Sequence, residues 1–174
     1  MIMTQMRIKE YKALNKDSSL RNKILDPYFK AYTRWLRSRG LGDLHEWFGG
    51  VRYFKLMPVE MLKKLVSLGF AELDDAQGCA PSIGQIIKFM ERWPKFVLAH
   101  GYAVSHERDD YRIAVEGVEG IIPKDFMSPP GEEAEVDFDA HLKLNDFKTD
   151  FLRLWIQADE LELNNDGHFR VWYD

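Results

Sequence analysis

Residues 96–122 read FVLAHGYAVSHERDDYRIAVEGVEGII, and nothing else in the chain is so strongly patterned. Tyr102 and Val104 alternate with Ala103 and Ser105; beyond a polar break, Tyr111, Ile113 and Val115 alternate with Arg112, Ala114 and Glu116. A period of two on both sides of the turn-rich segment His106–Asp110 predicts an antiparallel hairpin, over about residues 96–117, with one buried face.

The chain before the hairpin reads as helices with one short strand. Asp26 followed by Pro27 has the chemistry of a helix start, with a capping carboxylate and a first residue that needs no N–H partner. Tyr28, Ala31, Tyr32, Trp35 and Leu36 then form one apolar stripe, which Gly40 is placed to end. Ahead of it, Ser18 or Ser19 caps a separate short turn through Leu25. Asp43 and Glu46 have capping-box spacing for a brief helix stopped by Gly49-Gly50, and residues 51–56 suit a strand. Pro58 opens a helix with Met61, Leu62, Leu65 and Leu68 inward and Gly69 as terminator. Ser82 and Gln85 form another capping box, for a helix carrying Ile83, Ile86, Ile87 and Met90 on one side. Gly84 costs that helix about 1 kcal/mol relative to Ala, which points to a close-packing requirement.

After the hairpin, residues 123–127 suit a single helical turn. Residues 128–135, with two prolines, a glycine and an acidic run, read as a mobile acidic loop. Asp146 is placed to cap a helix through Ala158, with Phe147, Phe151, Leu154 and Trp155 inward. Asn164–Gly167 sits between two short alternating runs, a second hairpin signal. Strands and helices do not alternate regularly. The expected class is therefore α+β: an antiparallel sheet built on the central hairpin plus a C-terminal hairpin, packed against three or four helices.

A chain of 174 residues fits a single domain spanning 1–174, with a core that needs no staples. Cys79 is the one cysteine, which excludes an internal disulfide and a cysteine-rich metal site. The first residues lack the apolar core of a secretion signal and no apolar run is long enough to span a bilayer, so a cytoplasmic location is expected. Charge is lopsided: residues 1–95 hold seventeen basic against ten acidic residues, a net of +7, while residues 96–174 are at −11. Such asymmetry marks a nucleic-acid arm, an acidic partner-binding face, or two halves that neutralise each other within one domain.

Motifs for chemistry are weak. Asp137, Asp139 and His141 follow a D-x-D-x-H pattern that an extended segment would aim to one face, and His106, Asp109 and Asp110 on the hairpin turn could add ligands. A metal-dependent hydrolase would need that geometry, and a helix would scatter the set. Glu116 and Glu119 are spaced for acid–base work, although at an exposed strand end they would be solvated. Cys79 has no charge pattern to activate it, Ser82 is explained as a cap, and neither glycine pair has the lysine of a phosphate loop. No cofactor is expected.

Nucleic-acid binding has the order helix, helix, hairpin of a winged helix-turn-helix. Arg21, Lys23, Arg34, Arg37 and Arg39, with Lys9, Lys12 and Lys16, would meet phosphates, and Gln85, Lys88 and Arg92 would face bases. The long loop between the two helices and the acidic hairpin tip oppose it. Protein binding is the leading expectation. Trp35, Trp47, Trp93, Trp155 and Trp172 supply large aromatic area, and Glu132, Glu133, Glu135, Asp137 and Asp139 form an acidic set suited to a basic partner. An immunity- or antitoxin-like inhibitor of a basic protein is the sharpest form of that expectation.

Overall fold

The central ribbon becomes the two middle strands of a five-stranded antiparallel sheet, β2 (Leu98–Val104) and β3 (Ile113–Ile121). The flanking strands are β1 (Val51–Met57), outside β2, and β5 (His168–Trp172) then β4 (Glu160–Leu163), outside β3. The computed structural model describes residues 18–41, 47, 49–126 and 138–174, the side chains of 18 and 138–142 excepted. The α-helices are α1 (Ser18–Ser38), α2 (Val59–Ser67), α3 (Ile83–Arg92) and α4 (Phe138–Trp155), with a 3₁₀ turn at Lys124–Phe126. The fold is α+β, an open sheet packed against helices. None of these helices is long and apolar enough to cross a membrane.

One sheet face carries the main core. Ala99, Ala103, Ile113, Val115, Val118, Phe169 and Val171 join Leu62 and Leu65 of α2, Ile83, Ile86 and Met90 of α3, and Phe147, Phe151 and Trp155 of α4. Aromatic rings dominate its far end, where Phe147 lies against Trp93, Phe96 and Phe169 at centroid distances of 5.5, 5.3 and 5.1 Å. The capping box of α3 forms as expected, Gln85 N donating to Ser82 Oγ and Ser82 N to Gln85 Oε1. Gly84 sits where a Cβ would lie 3.1 Å from the carbonyl oxygen of Leu73, which its own N–H bonds. The C-terminal hairpin also forms, turning at Asn164–Gly167 with Gly167 at φ 87°.

Five expectations change. The hairpin does not have one buried face: both strands are buried almost throughout. Moreover, Ala103 pairs with Ile113 and Tyr102 with Ala114, so Tyr102 and Val104 lie on the face opposite Ile113 and Val115. Small residues at 99, 101 and 103 make room for the helices, so the larger residues of β2 mark the other side. The hairpin is also enclosed by β1 and β5, the middle of a sheet rather than a free wing.

Asp26-Pro27 does not start a helix. Pro27 lies inside α1, its position exposed. The buried stripe of α1 begins a turn and a half earlier, at Arg21, and runs through Leu25, Phe29 and Leu36. The hold of Arg21 on Val104 of β2 before Pro27, and of Phe29, Tyr32 and Trp35 on β1 after it, offsets the hydrogen bond that proline removes. Likewise α4 starts at Phe138 rather than Asp146, which is an exposed interior position.

Candidate functional site

Strand alternation puts Lys55 (β1), His100 and Tyr102 (β2), Glu116 and Glu119 (β3) and Arg170 and Trp172 (β5) on the sheet face away from the main core. Two bulges sit beside this set. The β1–β2 register slips between Phe54 and Met57, where Leu56 takes φ 59°, and the β2–β3 register slips at Glu116. A bulge re-aims the side chains next to it, here Lys55 and Glu116.

Lys55 Nζ reaches over β2 to Glu119 Oε2 at 2.8 Å, both side chains under a tenth exposed. Burial pulls the Lys55 ammonium below its ordinary range, and the bond to Glu119 opposes that shift. His100 is fully enclosed. Its Nε2 donates to the Val171 carbonyl oxygen at 2.7 Å, across β3 at Gly117, where a Cβ would lie 1.9 Å from that oxygen. Burial, then the charge of Lys55, lowers the His100 imidazole to about 3, so the ring is neutral with its proton on Nε2. Glu116 is buried, and desolvation with the nearby Asp174 carboxylate raises its carboxyl to about 7. His100 Nδ1, Glu116 Oε2, Glu119 Oε1 and Arg170 Nε are buried without hydrogen-bond partners.

A ladder of rings and guanidinium closes over these groups. His100 stacks on Trp172 at 4.9 Å; the Arg170 guanidinium lies 4.8 Å from the Trp172 centroid and 5.9 Å from that of Trp35. Trp35 also takes Lys55 at 4.5 Å and Arg39 at 4.7 Å. Tyr32 of α1 stacks on Tyr53 at 5.2 Å, completing the wall on that side. Its outer members Trp35, Arg170 and Trp172 are half-buried, with the cationic heads drawn to ring faces. Toward β4 the same face becomes open and acidic: Glu160, Glu162 and Asp174 are all exposed, with Asp159 and Asp166 exposed beside the strand ends. Glu160 lies 3.7 Å from Arg170, and Asp174 accepts from the Trp172 indole N–H, so rim and ladder are continuous.

This set differs from the one anticipated. Glu116 and Glu119 are not solvated at a strand end; β3 continues to Ile121 and buries both to 5% and 7% exposure. Lys55, His100 and Arg170 are not in the anticipated set; the one local signal was His100, a lone imidazole inside an otherwise apolar strand, since Arg52 and His168 share the strands of Lys55 and Arg170. Of the acidic set, Glu132, Glu133, Glu135 and Asp137 lie outside the described residues. Asp139 and His141 lie on the backbone of α4, and their side chains are outside the described ones. On the hairpin turn, Asp110 is committed to Arg108 at 2.7 Å and Arg112 at 3.3 Å. Among the described residues the carboxylates close enough to share a cation are Glu72, Asp74 and Asp75, on a loop remote in sequence from either proposed ligand set.

The basic set is divided. Arg34 and Arg37 are exposed on α1 and Arg39 in the turn after it, while Lys88 and Arg92 are exposed on α3, where Arg92 pairs with Asp150 of α4. Arg21 is not available to a phosphate: it is fully buried, donating to the Val104 carbonyl oxygen at 2.9 Å with its guanidinium 4.2 Å from the Tyr111 ring centroid. Of the tryptophans, Trp93 and Trp155 are core, and Trp35 and Trp172 reach the surface. No protein family model, no curated protein and no solved structure matches this chain.

Proposed function

We propose that this protein works by binding another protein, one with a basic surface, through the face formed by Trp35, Arg170, Trp172 and the acidic rim beyond them. The observation that carries this reading is the continuity of the half-buried Trp35–Arg170–Trp172 ladder with the exposed carboxylates of Glu160, Glu162 and Asp174. Tryptophan and arginine in partly desolvated settings are the residues that dominate binding energy, and a charged rim speeds encounter and selects the partner. The ionisable groups beneath the ladder are enclosed rather than lining a cleft, which favours a surface that recognises over one that reacts. An immunity- or antitoxin-like inhibitor, covering a basic enzyme, is one form this takes.

The test is isolation and identification of a partner from the source cells, followed by reconstitution of the complex from purified components. A basic protein binding at one to one, weakened more than tenfold by Trp172→Ala and by the pair Glu160→Lys with Glu162→Lys, is the expected result, since hot-spot truncation costs about 2 kcal/mol or more. A partner indifferent to all of these changes, or salt-sensitive retention on DNA with no protein partner, overturns the proposal.

A further inference from the structure

The outer strand of the sheet gives the rim a backbone as well as a charge. In the C-terminal hairpin, Asn164 N donates to His168 O at 2.8 Å, and the register continues through Glu162 with Arg170 and Glu160 with Trp172. Hydrogen-bonding direction alternates along an antiparallel strand, so residues 160, 162 and 164 turn their N–H and C=O groups toward β5. The same alternation turns those of Leu161 and Leu163 outward. Donations from Ile122 N to Gly167 O and from Tyr173 N to Glu116 O put the odd-numbered positions of β5 against β3, which fits this phase. Among the described residues nothing pairs with the outer edge of β4, the last strand of the sheet.

Side chains alternate in step. Glu160 and Glu162 stand on the face of the tryptophan ladder, both exposed, while Leu161 on the opposite side is 39% exposed. Short length and charge are also how proteins protect an edge from unwanted pairing. Here, however, both charges on the strand are negative, so the edge repels an acidic strand and attracts a basic one.

We infer that the β4 edge takes an extended basic segment of the partner as a sixth strand, with Lys or Arg opposite Glu160 and Glu162 and apolar residues over Leu161. The inference rests on the protein-binding reading and names its mode. Main-chain bonds to Leu161 and Leu163 supply affinity, and the alternating side chains supply specificity.

The probe is a synthetic peptide of alternating Lys and Val, about six residues long, the usual strand length. Titrated into the full chain, it is expected to protect the Leu161 and Leu163 amides from hydrogen exchange. Leu161→Pro removes one outward donor at an edge position that tolerates proline, and is expected to weaken the peptide about tenfold while Leu161→Ala does not. Should Leu161→Pro fail to fold by thermal melting, the pair Glu160→Lys with Glu162→Lys decides, by exchanging preference for the Lys peptide with preference for its Glu counterpart. No protection in the native chain, or full binding by folded Leu161→Pro, overturns the inference. A reconstituted partner lost on Trp172→Ala but kept by Leu161→Pro would leave the binding face in place and remove only the strand addition.

Discussion

Lys55 and Glu119 show what a buried charge asks of its neighbours. Each lost its water, and the 2.8 Å bond between them is what makes the pair tolerable. Lys55→Met is expected to cost about 3–5 kcal/mol, because Glu119 is left charged and alone, whereas Lys55→Met with Glu119→Leu recovers most of that loss. Urea unfolding of the two variants and the parent checks it. His100 and Glu116 pull stability in opposite directions with pH. The His100 imidazole falls to about 3 on folding from an ordinary 6.5, so the unfolded chain binds the extra proton and stability drops as pH falls from about 6.5 toward 3. Glu116 rises to about 7 from 4.5, so the folded chain binds the extra proton and stability drops as pH rises from about 4.5 toward 7. Between those limits the two slopes cancel. Glu116→Gln is expected to expose a stability that climbs with pH up to about 6.5, and His100→Asn one that declines from about 4.5 to 7. Denaturant midpoints of each variant against the parent, across that range, measure the difference and subtract the other carboxylates.

Helix α1 makes the case for packing over local signals. Asp26-Pro27 has the composition of a helix start, yet the helix passes through it because Arg21, Leu25 and Phe29 hold both sides against β1 and its neighbours. Pro27 therefore remains a cost. Pro27→Ala is expected to stabilise the chain by about 2 kcal/mol, roughly 3 from restored helix propensity less up to about 1 for the looser unfolded chain, visible as a Tm several degrees higher. Gly117→Ala should do the reverse. Its Cβ would meet the Val171 carbonyl oxygen at 1.9 Å, a backbone atom that cannot swing aside, so a loss near the upper end of about 1–3 kcal/mol and a lower Tm are expected. The same elements show what a sequence exposes. Both hairpins, the α3 capping box and the α+β class were legible, because alternation, turn residues and caps act over a few neighbouring positions. The facing of β2 was not, since Ala99, Gly101 and Ala103 look like solvent-side residues until helices are pressed against them. The charged face was hidden for a related reason: Lys55 meets a partner 64 residues away and His100 one 71 away, distances at which no local pattern survives.

Across the whole molecule, the excess of basic residues before residue 96 and of acidic residues after it meets at the charged sheet face. Lys55 from the first half is neutralised by Glu119 from the second in the interior, while the carboxylates of and beside β4 are left exposed at the edge. Their roles in association should separate kinetically. Rim charges act on encounter at a distance, so the pair Glu160→Lys with Glu162→Lys is expected to slow association with a basic partner about tenfold or more at low salt and to change dissociation little. At about 1 M salt, where screening shortens the reach of charge to about 3 Å, that difference should vanish. Trp172 acts only after contact, through desolvated area and the stack with Arg170 and His100, so Trp172→Ala should leave association intact and speed dissociation at every salt concentration. Stopped-flow association and dissociation rates, measured for both variants at low and high salt, distinguish the two. If Trp172→Ala slows association in a salt-dependent way, or if charge reversal changes dissociation alone, the division between an electrostatic rim and an aromatic centre is wrong.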